Sequence, residues 1–211
     1  MTVPFMRLAL VAALALVTAS CGLPGGGEPP QLYTLTPKST FEPSLPRVDW
    51  QLVIERPVAS AGINTQRIAV QRSPVTLDYF ARASWTDQAP ALVQTLLIES
   101  FENSGKIRAV TRESSQLRAD YILQTELREF QAEYDKLGQP PQVHVRLNGK
   151  LIRMPDRTII ANLTADRVGR AEKPDMENII LAFDETLGKV MKQIVEWALV
   201  APGTTGRPTR N

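Results

Sequence analysis

Residues 119–135 read ADYILQTELREFQAEYD, and this stretch decides the fold. Tyr121, Leu123, Thr125 and Leu127 alternate with polar neighbours, the period of two that turns one face of a strand toward a core. The apolar phase then slips to Phe130, Ala132 and Tyr134, which predicts a bulge near Arg128 and Glu129. The run GQPP at 138–141 ends the strand. Beyond it Val143, Val145 and Leu147 predict the inward face of a second strand, with His144, Arg146 and Asn148 on its outward face. After Pro155, Asp156 and Arg157 the chain returns through Ile159, Ala161, Leu163 and Ala165. Three such strands in succession read as an antiparallel meander with one apolar face.

A one-faced sheet needs a cover, and the sequence offers two helices for it. Upstream, Thr86 and Asp87 are expected to cap a helix over 88–103, whose Leu92, Val93, Leu96, Leu97 and Phe101 fall at helical spacing, with Gly105 as the stop. Downstream, a helix starting near Pro174 and Asp175 carries Met176, Ile179, Ile180, Phe183, Leu187, Val190, Met191, Ile194 and Trp197 on one broad stripe. Shorter alternating runs at 32–36, 52–55, 68–71 and 76–84 predict further strands, with a turn at Arg72, Ser73 and Pro74. Ala109 and Val110 suggest one more. The expected fold is α+β: a two-layer sandwich of a mostly antiparallel sheet covered by two amphipathic helices.

The chain has 211 residues, 43% hydrophobic and 22% charged, values typical of a globular domain. Lys plus Arg total 24 against 22 acidic residues, so no strong field attracts nucleic acid. One cysteine excludes an internal disulfide and a clustered thiolate site, and one histidine leaves few routes to a catalytic dyad.

The N-terminus places that cysteine. Arg7 precedes the apolar run LALVAALALV at 8–17, about 15 Å as a helix and too short to span a bilayer core of about 30 Å. Thr18, Ala19 and Ser20 then lead into Cys21. This reads as a lipoprotein signal peptide at 1–20, with Cys21 as the lipidated first residue of the mature chain. A thioether-linked diacylglycerol plus an amide-linked acyl group such as palmitate supplies the two or more chains that stable anchoring requires. Gly22 at the following position suggests sorting to the outer membrane. Residues 21–30 form the anchor and a Gly/Pro tether, 31–199 the folded domain, and 200–211 a polar tail expected to be disordered.

Motifs of catalysis are missing: no G-x-x-x-x-G-K, no G-x-G-x-x-G after a strand and no G-x-S-x-G. His144 falls on the polar face of a strand, where it is expected to be solvated. Asp120, Glu126 and Glu129 are expected to be outer-face charge. No cofactor, metal site or catalytic residue is therefore expected. One surface feature stands out: Tyr79, Phe80, Arg82 and Trp85 gather three aromatics and an arginine before the first helix. They are either the closed end of the core or a partner-binding patch of hot-spot composition.

TLDYFARASWTDQAPALVQTLLIESFENSG at 76–105 resembles the Tyr, Arg/Trp and L-x-x-x-L-x-x-x-F/L pattern of the ABC-type transport auxiliary lipoproteins, the PqiC-like family. Residues 119–135 are similar to that family's long central strand. Here Arg82 and Trp85 are separated by Ala83 and Ser84 rather than adjacent. The resemblance implies a fold like the TolB N-terminal domain and a non-catalytic envelope lipoprotein, typically on the outer membrane facing the periplasm. It also implies partnership with an ABC permease and ATPase and an MCE-domain protein that move phospholipid or other hydrophobic cargo, and docking or assembly into homo-oligomers. The expected role is a docking or terminal adaptor; a lipid-binding carrier and an envelope hydrolase are the alternatives.

Overall fold

The computed structural model describes residues 29–115, 118–135 and 139–204. The signal peptide, Cys21, most of the tether and residues 205–211 lie outside the described residues. The elements are β1 (Gln31–Tyr33), β2 (Val48–Ile54), β3 (Val58–Ala59), β4 (Arg67–Ser73), β5 (Thr76–Trp85), α1 (Ala89–Ser104), β6 (Ile107–Arg112), β7 (Tyr121–Glu133), β8 (Gln142–Arg153), β9 (Thr158–Arg170) and α2 (Met176–Thr204).

Strand β7 is the hub. One of its edges pairs antiparallel with β8 along its whole length, from Tyr121↔Arg153 to Glu133↔Gln142. Its other edge is tiled by three strands running parallel to it: β2, then β3, then β4. Strands β7, β8 and β9 make the expected meander, and the bulge falls at Arg128, between the pairs Leu127↔Leu147 and Glu129↔Arg146. The sheet as a whole is mixed, which corrects the expectation of a mostly antiparallel one. Among the described residues five of its eight pairings are parallel, because β1, β2, β3 and the β7-facing edge of β4 meet partners reached by long excursions, while the other edge of β4 forms a hairpin with β5. Alternation reports which residues share a face and is silent on which strand lies alongside. A second bulge, at Ile160, reverses the phase of β9, so Ile159 points outward instead of lining the inner face.

Both helices cover the inner face. Helix α1 begins at Gln88 without a side-chain cap; Pro90 sits in its first turn, and Asp87 instead accepts the Gln88 N–H at 2.6 Å. It ends at Gly105, whose φ of 60° is the left-handed conformation that glycine adopts freely, its N–H donating to the Glu102 carbonyl. Helix α2 is capped by Asp175, whose carboxylate accepts the Asn178 N–H at 3.0 Å. It runs to Thr204, past the expected end at 199, because Ala201 still packs against the core at 5% exposure.

At the centre, Trp85 of β5, Phe130 of β7 and Phe183 of α2 meet with ring centroids 5.1–5.4 Å apart. One glycine lets α2 settle onto the meander: a Cβ at Gly169 would run into Thr186 Oγ1, whereas one at Gly149 would make ordinary contact with Ile194 and Trp197. After β1 the chain crosses both helices as an extended strap. The Thr36 N–H donates to Asp184, the Lys38 N–H to Ser100 Oγ, and the Glu42 N–H to Glu196. Leu35 is buried under the strap.

Two outcomes are expected. Trp85→Ala should cost about 3–5 kcal/mol in urea unfolding, the range for a large aromatic lost from a packed core; a midpoint close to wild type would contradict the triad's role. Gly169→Ala should destabilise by about 1–3 kcal/mol through overpacking, and adding Thr186→Ala should restore part of that loss, a coupling that a double-mutant cycle measures directly.

Candidate functional site

The four residues singled out before α1 do not share one surface. Trp85 is 1% exposed and belongs to the core, out of reach of a partner. Phe80 is half-buried and packs against the same core. Tyr79 donates its hydroxyl hydrogen to the Gly62 carbonyl at 3.1 Å, and the guanidinium stacked on its ring at 3.7 Å is that of Arg67, not Arg82. Arg82 is exposed, at φ 56°, within an irregularity where β5 has five steps (Tyr79 to Ser84) against two in β4 (Ala69 to Arg67). The patch is thus divided between core, strand edge and solvent.

The densest polar constellation lies on the outer face of the meander. Once the bulge at Arg128 has reset the phase, Glu129, Gln131 and Glu133 project from β7 on the face opposite Phe130 and Ala132. The register sets Gln131 opposite His144 and Glu129 opposite Arg146, while β9 brings Asp166 opposite Arg146. His144 is on the polar face, as expected, but it is not solvated: its side chain is 14% exposed and both ring nitrogens are engaged. Nδ1 lies 3.0 Å from Glu133 Oε1, and Nε2 lies 2.8 Å from Asp166 Oδ1.

Around the histidine the other groups interlock. Arg146 Nε donates to Asp166 Oδ2 at 2.8 Å, and its guanidinium lies 3.8 Å from Glu129. Gln131, 3% exposed, donates from Nε2 to Glu129 at 2.7 Å and to Glu133 at 2.9 Å, while its Oε1 accepts the Phe130 N–H. Burial pushes the Asp166 carboxyl up, but the hydrogen bonds from His144 and Arg146 outweigh it and hold the group below the usual aspartate range.

Of the carboxylates considered from sequence, only Glu129 joins this cluster. Asp120 accepts the Gln51 N–H at 2.8 Å, and Glu126 pairs with Arg128. Glu133 and Asp166 were missed because they come from different strands and share no spacing motif; alternation after the bulge was the one signal for Glu133. One nitrogen and two carboxylate oxygens, from His144, Glu129 and Glu133, lie within 4.8 Å of one another, a donor set suited to a metal ion. Both ring nitrogens of His144 face carboxylates, and the contacts described for the ring include no hydroxyl or thiol.

Two open grooves carry charged residues on their walls. One of about 500 Å³ between β9 and α2 is lined by Arg167, Lys189, Lys192 and Trp197 among others. Another of about 500 Å³ runs beside the β4–β5 turn and reaches Glu133. No helix among the described residues is long and apolar enough to cross a membrane.

Comparison with known proteins agrees with this architecture. The family model of the ABC-type transport auxiliary lipoprotein component matches residues 32–195. The crystal structure of protein XCC0632 from Xanthomonas campestris, of family DUF330, superposes with a TM-score of 0.77 at 30% identity, covering 82% of this chain and 97% of that one. A second crystal structure, of an uncharacterized protein, superposes with a TM-score of 0.63 at 12% identity over 80% of this chain and 97% of its own, which shows the fold alone. The uncharacterized protein bll6063 of Bradyrhizobium diazoefficiens is 29% identical over 182 residues, 84% of this chain and 47% of that protein, so the chain spans about half the length of this relative. With strand order, helix cover and family match in accord over the described body, the chain belongs to the ABC-type transport auxiliary lipoprotein component family.

Proposed function

We propose that the chain is a non-catalytic docking component of an ABC-driven envelope transport system, tethered to the outer membrane through lipid on Cys21 and facing the periplasm. Its partners in this reading are the permease and ATPase and an MCE-domain protein, and the cargo is phospholipid or another hydrophobic molecule. The energy for moving such cargo comes from the ATPase, and this chain supplies a fixed, tethered surface at one end of the path.

The observation that carries docking over carriage is the filled space between sheet and helices. A carrier needs a concave apolar site of several hundred Å³. Here the corresponding volume holds Trp85, Phe101, Phe130 and Phe183, each fully buried. The two grooves of about 500 Å³ among the described residues are open and rimmed by charge.

The test is Cys21→Ala. The variant should fold normally, move from the membrane to the soluble periplasmic fraction, and abolish transport supported by the wild-type gene. Wild-type-like membrane retention of the variant would refute the anchoring half of the proposal.

A further inference from the structure

We propose that Glu129, Glu133 and His144 form a binding site for a divalent transition-metal ion, Zn2+ by ligand type, on the outer face of the β7–β8 hairpin. Asp166 acts there as the group that orients the histidine. The inference is independent of the transport reading.

The argument starts from the two ring nitrogens. A neutral imidazole carries one N–H, and Asp166 Oδ1 at 2.8 Å from Nε2 is placed to accept it. The Nδ1 lone pair is then aimed at Glu133 Oε1, 3.0 Å away. A proton on Nδ1 closes this contact when the ring is charged; with the ring neutral, a cation can take that place between the nitrogen and the carboxylate. That separation is close to the spacing of two ligands on one ion with bonds of about 2.0–2.2 Å. Glu129 supplies the third ligand, its oxygen lying within 4.8 Å of the other two.

The surroundings match what metal sites need beyond their ligands. A carboxylate bonded to the far nitrogen of a ligating histidine fixes the ring and raises its basicity, and Asp166, itself held by Arg146, is placed to do so. Gln131, buried and bonded to both glutamates, sets the separation of the two carboxylate ligands. Charge complementarity points the same way: three carboxylates, Glu129, Glu133 and Asp166, surround His144, and Arg146 pairs with only two of them, Glu129 and Asp166. Glu133 lines the open groove beside the β4–β5 turn, which gives the ion a path from solvent. A nitrogen and two oxygens favour Zn2+ over Mg2+, which prefers an all-oxygen shell, and the remaining coordination positions fall to water.

The chain holds one histidine, so the imidazole resonance of tag-free protein needs no assignment. Cys21→Ala protein, which lacks the sole thiol, is titrated with Zn2+ by calorimetry and by NMR of that ring. Binding of one ion with a shift of the His144 resonances is expected, and Mg2+ at the same concentration should move neither. Glu129→Gln, which keeps an acceptor for Gln131, and Asp166→Asn should each weaken Zn2+ binding by about tenfold or more while circular dichroism stays native. His144→Gln should abolish the one-ion isotherm. Absence of a saturable isotherm, unmoved histidine resonances at saturation, or equal affinity in wild type, Glu129→Gln and His144→Gln would overturn the proposal.

Discussion

The structure depends on the apolar face of β7 being roofed. A central strand of 13 residues, paired on both edges, presents Leu123, Leu127, Phe130 and Ala132 on one side, and the aromatic contact of Phe130 with Trp85 and Phe183 ties that face to β5 and to α2. Removing this apolar surface from water is the main favourable term in such a sandwich. The close approach at Gly169 lets α2 lie low enough to complete the contact. With the inner face consumed by packing, the recognition surfaces left among the described residues are the outer sheet face, the sheet edges, the open grooves and the solvent sides of the helices.

Much of this was legible in the sequence, and the part that was not has a common cause. The phase slip in 119–135 located the β7 bulge, and helical spacing located both helices. The Trp85 ring resolves the ambiguity left by composition: an aromatic beside an arginine suits a contact patch and a core end equally, and only the packing of Phe130 and Phe183 against it decides. Strand direction was hidden because neighbours in a parallel pair are distant in sequence, as Leu52 and Tyr121 are. The strap over 34–47 has no periodicity, since its bonds run to Asp184, Ser100 and Glu196 on two separate helices. The His144 cluster draws on three strands, so its members share a face without sharing a motif.

Outer face and family membership together give the molecule a plain division of labour. The inner layer is structural, and the outer face of β7, β8 and β9 concentrates charge around His144, with Arg146 and Gln131 locking the carboxylates in place. Such a body is compatible with the proposed docking role, in which it is held in position and contacts other components. The relative of roughly twice this length, protein bll6063, has the same domain-sized region within a larger chain.

Site-directed photocrosslinking in intact cells, with probes placed at exposed positions such as Arg82, Val75 and Val168 and mass-spectrometric identification of what is captured, tests the docking role most directly. The account predicts adducts with a permease or MCE-domain protein of an ABC transport system. Adducts that contain no transport component at any of these positions would contradict it.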